Sequence, residues 1–499
     1  FYPDAGVATA VHPLRSSFAQ RLLAFRRLAF SPGMAARCSV GRGGLRLMAR
    51  PSQRLLGALG PRWSGVVRGQ MRGCAAAAED HAGIHQTPIV DHLWAKRKEA
   101  KKRAFTTPVE PSQRGERALI SKTPEDSAQS VTYPFSDPDK RWLVDKYRNP
   151  WGYVRPGRLF EDLDALAGTI AFEHCRGVNP QEKDPHIVTA SVDRIKYWQR
   201  PNLEHDLVLS GKVTYVGRSS MEIRMKAQAE PSGTTYMEST FTFAARDPQT
   251  GRSVQINPLK VSTPEEEADF EMGAKRDVAR KEARNLAEQS AVGRPLDAAG
   301  MKMAHALMAE AQPLLTMPSL AHETDVLMSS TRLQNTFMTM PQQRNTAGRV
   351  FGGFLMRRAY ELARSTAHLF GGRRPVFHEL DEVTFMAPVN VGDVLKFDSY
   401  VLYTSEEIDP QGHATIHTEV KAHILRPESR TVLLANTFNF TFGLAANEDG
   451  TGGSALGTEV SLRRVLPGSY GEAYRIVERY CADQNQAVED SQVAVSEQQ

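Results

Sequence analysis

The chain has 499 residues, 41% of them hydrophobic, which is enough for two or three domains with buried cores and excludes a chain that is disordered throughout. No run approaches the roughly 18 uninterrupted apolar residues of a membrane span, so we expect no stable membrane insertion. The net charge of +5 is unevenly distributed: residues 1–78 carry +11, which leaves the rest of the chain at −6.

The leader, residues 1–78, contains twelve arginines, no lysine and one acidic residue, Asp4. Four of the arginines recur every four residues, as one face of a helix requires: Arg42, Arg46, Arg50 and Arg54. This composition is typical of a mitochondrial transit peptide and differs from the lysine-containing tails that bind nucleic acid. We therefore expect mitochondrial import, into the matrix, and no nucleic-acid partner. Because the chain begins at Phe1, Met34 is a candidate start and residues 1–33 are a candidate non-native leader.

Residues 79–125 mix charge with prolines and carry a basic helical patch after Trp94, which predicts a linker or a strap on the outside of the folded body. The first folded unit is expected at residues 126–262, with a long helix after Gly157. In its sheet, Met221, Ile223 and Met225 alternate with polar residues, the period of a half-buried strand.

Residues 263–323 are predicted to form a helical connector. Thr263 caps a helix, Pro264 occupies its first turn, and Glu266 completes a capping box. This helix should run to about Gln289, and a second should span about 299–311. A second folded unit is expected at 324–445, followed by a C-terminal tail, 446–499, with a short helix over 470–483 and a solvated end.

The four cysteines are isolated, with no C-x-x-C pair and no nearby histidine pair at metal-ligand spacing. We predict no disulfide framework, no structural metal and no cofactor. Cys175, near the end of the first long helix, is interpreted as a core residue because no motif for a base accompanies it.

The two folded units carry the same motif. Asn345, Gly348 and Gly353 precede the second long helix, and subtraction of 196 from their numbers gives Asn149, Gly152 and Gly157 before the first one. After each helix a β-rich run begins at an aspartate: Asp193 to Tyr197, and Asp381 to Phe385. Each unit is therefore read as one long helix followed by an antiparallel sheet with a single apolar face, and two such units in one chain indicate a fused dimer.

These motifs, in this order and present twice, resemble the hotdog-fold acyl-CoA thioesterases. The resemblance covers roughly residues 125–445, and the two repeats behind a basic leader are similar to the mitochondrial members of that family. It implies an α+β chain with a tandem (double) hotdog fold, each unit a long central helix wrapped by an antiparallel sheet. It also implies hydrolysis of acyl-CoA to fatty acid and coenzyme A, and assembly into a homo-oligomer.

In the resembling enzymes, one repeat supplies an acid and the other an asparagine and a helix N-terminus. Carried over residue by residue, the resemblance implies that Asp164 of the first repeat is the base and faces Asn345 and Gly353, the oxyanion donors of the second. Tyr360 stands where Asp164 would recur and is a poor base, so one working site per chain is expected. Gly352 and Arg218 are the candidates for binding coenzyme A, Arg218 being equally well read as a charged turn residue.

Two other functions fit a chain of this kind. A hotdog enoyl-CoA hydratase needs a histidine partnered with the acid, and the nearest histidine within the first helix, His174, is ten residues from Asp164. A non-enzymatic acyl-CoA-binding protein would not need to retain Asp164. Thioester hydrolysis is the function that the sequence favours.

Overall fold

The computed structural model describes residues 87–106, 119–177, 184–289, 296–345, 348–405, 414–444 and 462–497. The leader with its predicted import signal, the pair 346–347 of the second motif and residues 178–183 of the loop after the first long helix lie outside these ranges. Within them the chain builds the same helix-and-sheet unit twice.

The first unit contains three helices and six strands in the described residues. The helices are α1 (Pro88–Thr106), α2 (Arg141–Tyr147) and α3 (Pro156–Cys175). The strands are β1 (Gln129–Tyr133), β2 (His186–Val192), β3 (Ile195–Tyr197), β4 (Asp206–Val216), β5 (Ser220–Glu230) and β6 (Thr235–Arg246).

The remainder of the described chain contains four helices and eight strands. The helices are α4 (Pro264–Gln289), α5 (Ala298–Thr316), α6 (Gly352–Gly371) and α7 (Tyr470–Glu497). The strands are β7 (Asp325–Leu327), β8 (Leu333–Met338), β9 (Pro375–Leu380), β10 (Val383–Thr384), β11 (Val394–Ser405), β12 (Ala414–Arg426), β13 (Thr431–Leu444) and β14 (Arg464–Leu466).

Strand order in the main sheet is symmetric about its centre. In the described residues the order is β1-β4-β5-β6-β3 and then β9-β13-β12-β11-β8, with β2 and β10 pairing beside the join. The halves meet antiparallel through β3 and β9, where Ile195 lies opposite Leu380 and Lys196 opposite Glu379. Two half-sheets with the same strand order thus join edge to edge, which confirms the predicted tandem fold.

The central helices α3 and α6 cover the apolar face of the sheet. The inward side chains of β5 and β13 that alternation predicted are fully or almost fully buried: Met221, Ile223, Met225, Phe438, Phe440 and Phe442. Cys175 at the end of α3 is also buried, as expected of a core residue. Helix α1 lies in the segment predicted to be a linker or a strap, and its Ile89 is 2% exposed and belongs to the same core.

The outer face of the first half-sheet is covered around Glu222, which corrects the prediction of a half-buried strand at that position, while Arg224 and Lys226 stay partly exposed. Glu222 of β5, expected to point into water, has a fully buried side chain. It is covered by α4, whose Arg276 donates to it over 2.6 Å and whose Arg280, one turn later, donates to its other oxygen. The capping box that starts α4 is confirmed, because Glu266 N–H donates to Thr263 Oγ1 over 3.2 Å.

The second half-sheet is covered in the same way, by a helix that is longer than the one predicted over 470–483. The predicted short helix is the start of α7, which continues to Glu497. Arg475 pairs with Glu419 and Arg479 with Asp381, both over 2.5 Å, so that two arginines one turn apart again dock a helix on a buried and a partly buried acid. Strand β14 also pairs in parallel with β7. No helix in the described ranges has the length and apolar character needed to span a membrane.

Candidate active site

Asp164 lies midway along α3 and points at the N-terminus of α6. Its side chain is buried, with 2% of the residue exposed. Oδ2 accepts a hydrogen bond from the Gly353 N–H over 2.7 Å, and Oδ1 accepts one from the Thr189 hydroxyl over 3.0 Å. A carboxylate of the first repeat is therefore held by the first helical turn of the second.

The surroundings of Asp164 leave it basic. Burial raises its pKa from 3.8 to about 6, because a low-polarity environment disfavours the charged form. The hydrogen bonds from Gly353 and Thr189 oppose this rise in pKa, and the negative charge of Glu161 adds to it. At neutral pH the carboxylate is ionised, and it is a stronger base than an exposed aspartate.

Glycine at 353 permits the contact between the two central helices. A β-carbon there would lie 2.8 Å from Glu161 Cα and 2.9 Å from Asp164 Cβ, closer than non-bonded atoms approach. At Gly352 a β-carbon would lie 2.9 Å from the ring of Phe385 and 3.4 Å from Asp164 Oδ2. Backbone therefore reaches the carboxylate only because both positions lack a side chain.

The role of Gly353 differs from the one that the sequence suggested. It was expected to supply an oxyanion donor, but its N–H donates to Asp164. The N–H groups of Gly352 and Phe354, in the same turn, have no hydrogen-bond partner within the described ranges. A helix N-terminus with such amides attracts negative charge.

Asn345 shapes the loop that leads into α6. Its Oδ1 accepts from Arg349 N–H over 3.0 Å, and its backbone N–H donates to Arg349 O over 2.6 Å. Gly348, with φ of +79°, makes the turn between them. The structure thus brings Asp164 of α3 and Gly353 of α6 into direct contact and places Asn345 in the loop preceding α6. Arg218 lies elsewhere, exposed at the turn between β4 and β5.

The same construction recurs around the N-terminus of α3. Asn149 Oδ1 accepts from Tyr153 N–H over 3.1 Å, and Gly152 has φ of +88°. A β-carbon at Gly157 would lie 3.2 Å from the ring of Tyr360, the residue that takes the place of Asp164. Tyr360 is buried and its pKa is raised to about 12, so it cannot replace a carboxylate base at neutral pH.

Thr189 was missed by the sequence reasoning. It lies on β2 opposite Phe243, next to a register shift between Thr189 and Ser191. If the strands are aligned on Asp193 and Asp381, its counterpart is Phe377, whose ring is 5.3 Å from that of Tyr360. Both polar members of the first site therefore have aromatic counterparts in the second, a signal that strand alignment could have supplied.

Among the described residues, one group of acids is close enough together to hold a cation. Oxygens of Glu379, Asp381 and Asp483 lie within 4.8 Å of one another. Arg479 pairs with Asp381 and with Asp483, and Arg194 pairs with Glu379. The group is thus part of the ion-pair network beneath α7.

Comparison with known proteins places the chain among thioesterases. Residues 152–244 match the model of the Thioesterase superfamily. The chain is 38% identical over 407 residues to the mitochondrial acyl-coenzyme A thioesterase 4 of Humulus lupulus, covering 80% of this chain and 74% of that one. To the human mitochondrial acyl-coenzyme A thioesterase 9 it is 32% identical over 363 residues, covering 70% and 75%.

Solved structures give weaker overall matches. An acyl-CoA hydrolase from Staphylococcus aureus is 22% identical and aligns with 34% of this chain and 99% of its own, at a TM-score of 0.27. An acyl-ACP thioesterase from Bacteroides thetaiotaomicron is 12% identical and aligns with 64% of this chain and 100% of its own, at a TM-score of 0.37.

Proposed function

The chain belongs to the acyl-coenzyme A thioesterase family, and from this premise we propose that it hydrolyses acyl-CoA where Asp164 of the first repeat meets the N-terminus of α6 in the second. The observation that carries the proposal is the 2.7 Å hydrogen bond from Gly353 N–H to Asp164 Oδ2. It joins a buried base to a helix N-terminus, the two parts that thioester hydrolysis requires.

In the proposed reaction Asp164 removes a proton from water. The water oxygen bonds to the thioester carbonyl carbon, and the carbonyl oxygen gathers negative charge. The amide of Gly352 and the side-chain amide of Asn345 donate to that oxygen. When the carbon–sulfur bond breaks, the proton held by Asp164 passes to the departing thiolate, which leaves fatty acid and coenzyme A.

Gly353 and Thr189 have a positioning role in this scheme. Their hydrogen bonds fix both carboxylate oxygens and limit the rise in the pKa of Asp164. The base is then ionised at neutral pH without being freely hydrated.

A direct attack of Asp164 on the thioester would pass through an anhydride. Single-turnover hydrolysis in ¹⁸O-labelled water tests this route, because a general base delivers the label to the fatty acid and leaves none in the protein. Label found in the Asp164 carboxylate would contradict the assignment of a base.

Substitution at both sites tests the single-site proposal. Asp164→Asn and Asn345→Ala should each lower turnover at least about a hundredfold, the scale of losing a base or an oxyanion donor. Asn149→Ala is the matched control, since Asn149 holds the equivalent loop of the site that has Tyr360, and it should cost far less. Equal losses at Asn149 and Asn345 would refute the proposal.

A hydratase is less compatible with the site. His174 is fully buried at the far end of α3, and its Nε2 lies 3.0 Å from the Asn257 carbonyl oxygen. Burial lowers its pKa to about 4, so it is neutral at physiological pH. Release of free thiol from acyl-CoA, followed with a thiol reagent, separates hydrolysis from hydration and from binding alone.

The cellular site, assembly and coenzyme A contacts complete the proposal. We propose that residues 1–78 direct mitochondrial import, which is supported by the basic composition of this segment and by relatives that are named mitochondrial. A fluorescent reporter fused to residues 34–90 should enter the matrix, and a cytosolic reporter would exclude import by that segment.

We propose that the chain assembles into a homo-oligomer, whose mass light scattering would measure. We also propose that coenzyme A contacts Gly352 and Arg218, and the Arg218 contact should appear as a raised KM in Arg218→Ala.

A further inference from the structure

The second site differs from the first by more than the loss of its base. At the offset of 196 residues, Arg155 takes the place of Phe351, and Arg364 takes the place of Gly168. Arg155 directly precedes α3, and Arg364 lies on α6 one turn after Tyr360. Two cations thus stand where the proposed active site has an apolar residue and a glycine.

Aromatic side chains of the Asn149 loop contact Arg364 and two more arginines, Arg200 and Arg374. The guanidinium of Arg364 lies 4.4 Å from the centre of the Trp151 ring, and that of Arg374 lies 5.2 Å from the same ring. Arg200 lies 5.3 Å from the centre of the Tyr153 ring. Cation–π contacts of this kind orient guanidinium groups without cancelling their charge. We call Trp151, Tyr153, Arg155, Arg200 and Arg364 the arginine site.

Negative charge near Arg155 and Arg364 is limited in the described part of the chain. Glu361 pairs with Arg155 over 3.2 Å, but it also pairs with Arg357 over 3.0 Å and with Arg358 over 3.1 Å. Arg364 has no carboxylate within 4 Å in the described ranges. Arg155 and Arg364 therefore keep an excess of positive charge.

The chemistry of hydrolysis is missing here. Pro156 occupies the position of Gly352 and has no N–H to donate. Tyr360 replaces the base, and its ring packs against Phe160 at 5.5 Å and Phe377 at 5.3 Å. A ligand at this place would be bound and not cleaved.

We propose that the arginine site binds a phosphate-bearing anion at a place separate from Asp164. A phosphate carries close to two negative charges and three acceptor oxygens, which suits arginines that reach the same loop from different elements. A carboxylate would pair with one guanidinium group, and Glu361 already pairs with Arg155 in this way. The inference does not depend on the role proposed for Asp164.

Calorimetric titration of the full chain with sodium pyrophosphate, at constant ionic strength, tests this inference. Wild type should bind pyrophosphate saturably, and Arg364→Gln should weaken binding at least about tenfold, the loss expected for one charge-assisted contact. Arg364→Lys, which keeps the charge but loses the fork, should fall between the two. Arg155→Gln should also weaken binding. This variant should still fold, because Glu361 retains its ion pairs with Arg357 and Arg358.

Two further variants locate the bound anion. Arg148→Gln is the matched control, since Arg148 lies beside the same loop but pairs with exposed Asp145, and it should bind within about twofold of wild type. Asp164→Asn should also bind like wild type, whatever its turnover. Unchanged binding in both Arg364 variants, binding abolished by Asp164→Asn, or sodium acetate binding as tightly as pyrophosphate would each overturn the proposal.

Discussion

Replacement of Asp164 by asparagine should stabilise the protein while it inactivates the enzyme. The folded protein holds this carboxylate in a buried place where its pKa is about 6, against 3.8 in an exposed chain. Because the folded-state value is the higher one, the folded protein binds the proton more tightly, and ionisation at higher pH favours unfolding. Asparagine does not ionise and so avoids this penalty.

The two pKa values give the expected magnitude. At about pH 2, well below both pKa values, the aspartate is protonated in both states and contributes no penalty. The gain in the free energy of unfolding should rise through the window between 3.8 and 6, reaching about 1.6 kcal/mol at pH 5 and about 3 kcal/mol at pH 8. One hydrogen bond weakened in the asparagine variant subtracts a constant amount of about 1 kcal/mol at both pH values.

Urea unfolding of wild type and Asp164→Asn at pH 5 and pH 8 measures the effect. The difference between the two proteins should be more favourable to the variant at pH 8, by about 1.4 kcal/mol. Asp145→Asn serves as the control, since its exposed pair with Arg148 contributes little at either pH. A variant whose relative stability is independent of pH, or falls as the pH rises, would refute the reasoning.

Three other substitutions test the contacts around the site and the docking of the outer helices. Thr189→Val removes a donor that lowers the pKa of Asp164, so turnover should fall about tenfold and the acidic limb of the pH–rate profile should move above 6. Gly353→Ala should lower the free energy of unfolding in urea by about 2 kcal/mol and abolish turnover. Gly157→Ala should lower it less, because the added β-carbon would meet side-chain atoms at 3.2 Å. Glu222→Gln leaves two arginines of α4 without their buried carboxylate and should cost about 3 kcal/mol, with turnover at 25 °C preserved; an unchanged urea midpoint would contradict that role.

Much of the fold could be predicted because short-range sequence patterns indicate its strands and helix ends. Alternation along β5 and β13 located strands with a buried face, and the capping box at Thr263 located the start of α4. The docking of α4 and α7 could not be predicted, because it depends on arginines that pair with acids distant in sequence. Glu222, for example, is 54 positions from Arg276.

The site was predictable only where its parts recur. The offset of 196 residues paired Asn345 with Asn149 and Asp164 with Tyr360, and the structure brings Asp164 against Gly353. Thr189 was missed because its strand reaches Asp164 through tertiary packing and a register shift, so periodicity does not identify it and only alignment of the two repeats' strands would have done so. The donation of Gly353 N–H to Asp164 also depends on how closely two helices approach, which the residue types do not determine.

The covalent link between the two repeats has an evolutionary consequence. In an assembly of two identical chains, each substitution enters both sites at once, so selection for catalysis would protect both copies of the aspartate and the threonine. After gene duplication and fusion, a substitution in one repeat no longer appears in the other. One half can retain Asp164 and Thr189 under selection for turnover, while the other is free to acquire Tyr360 and Phe377.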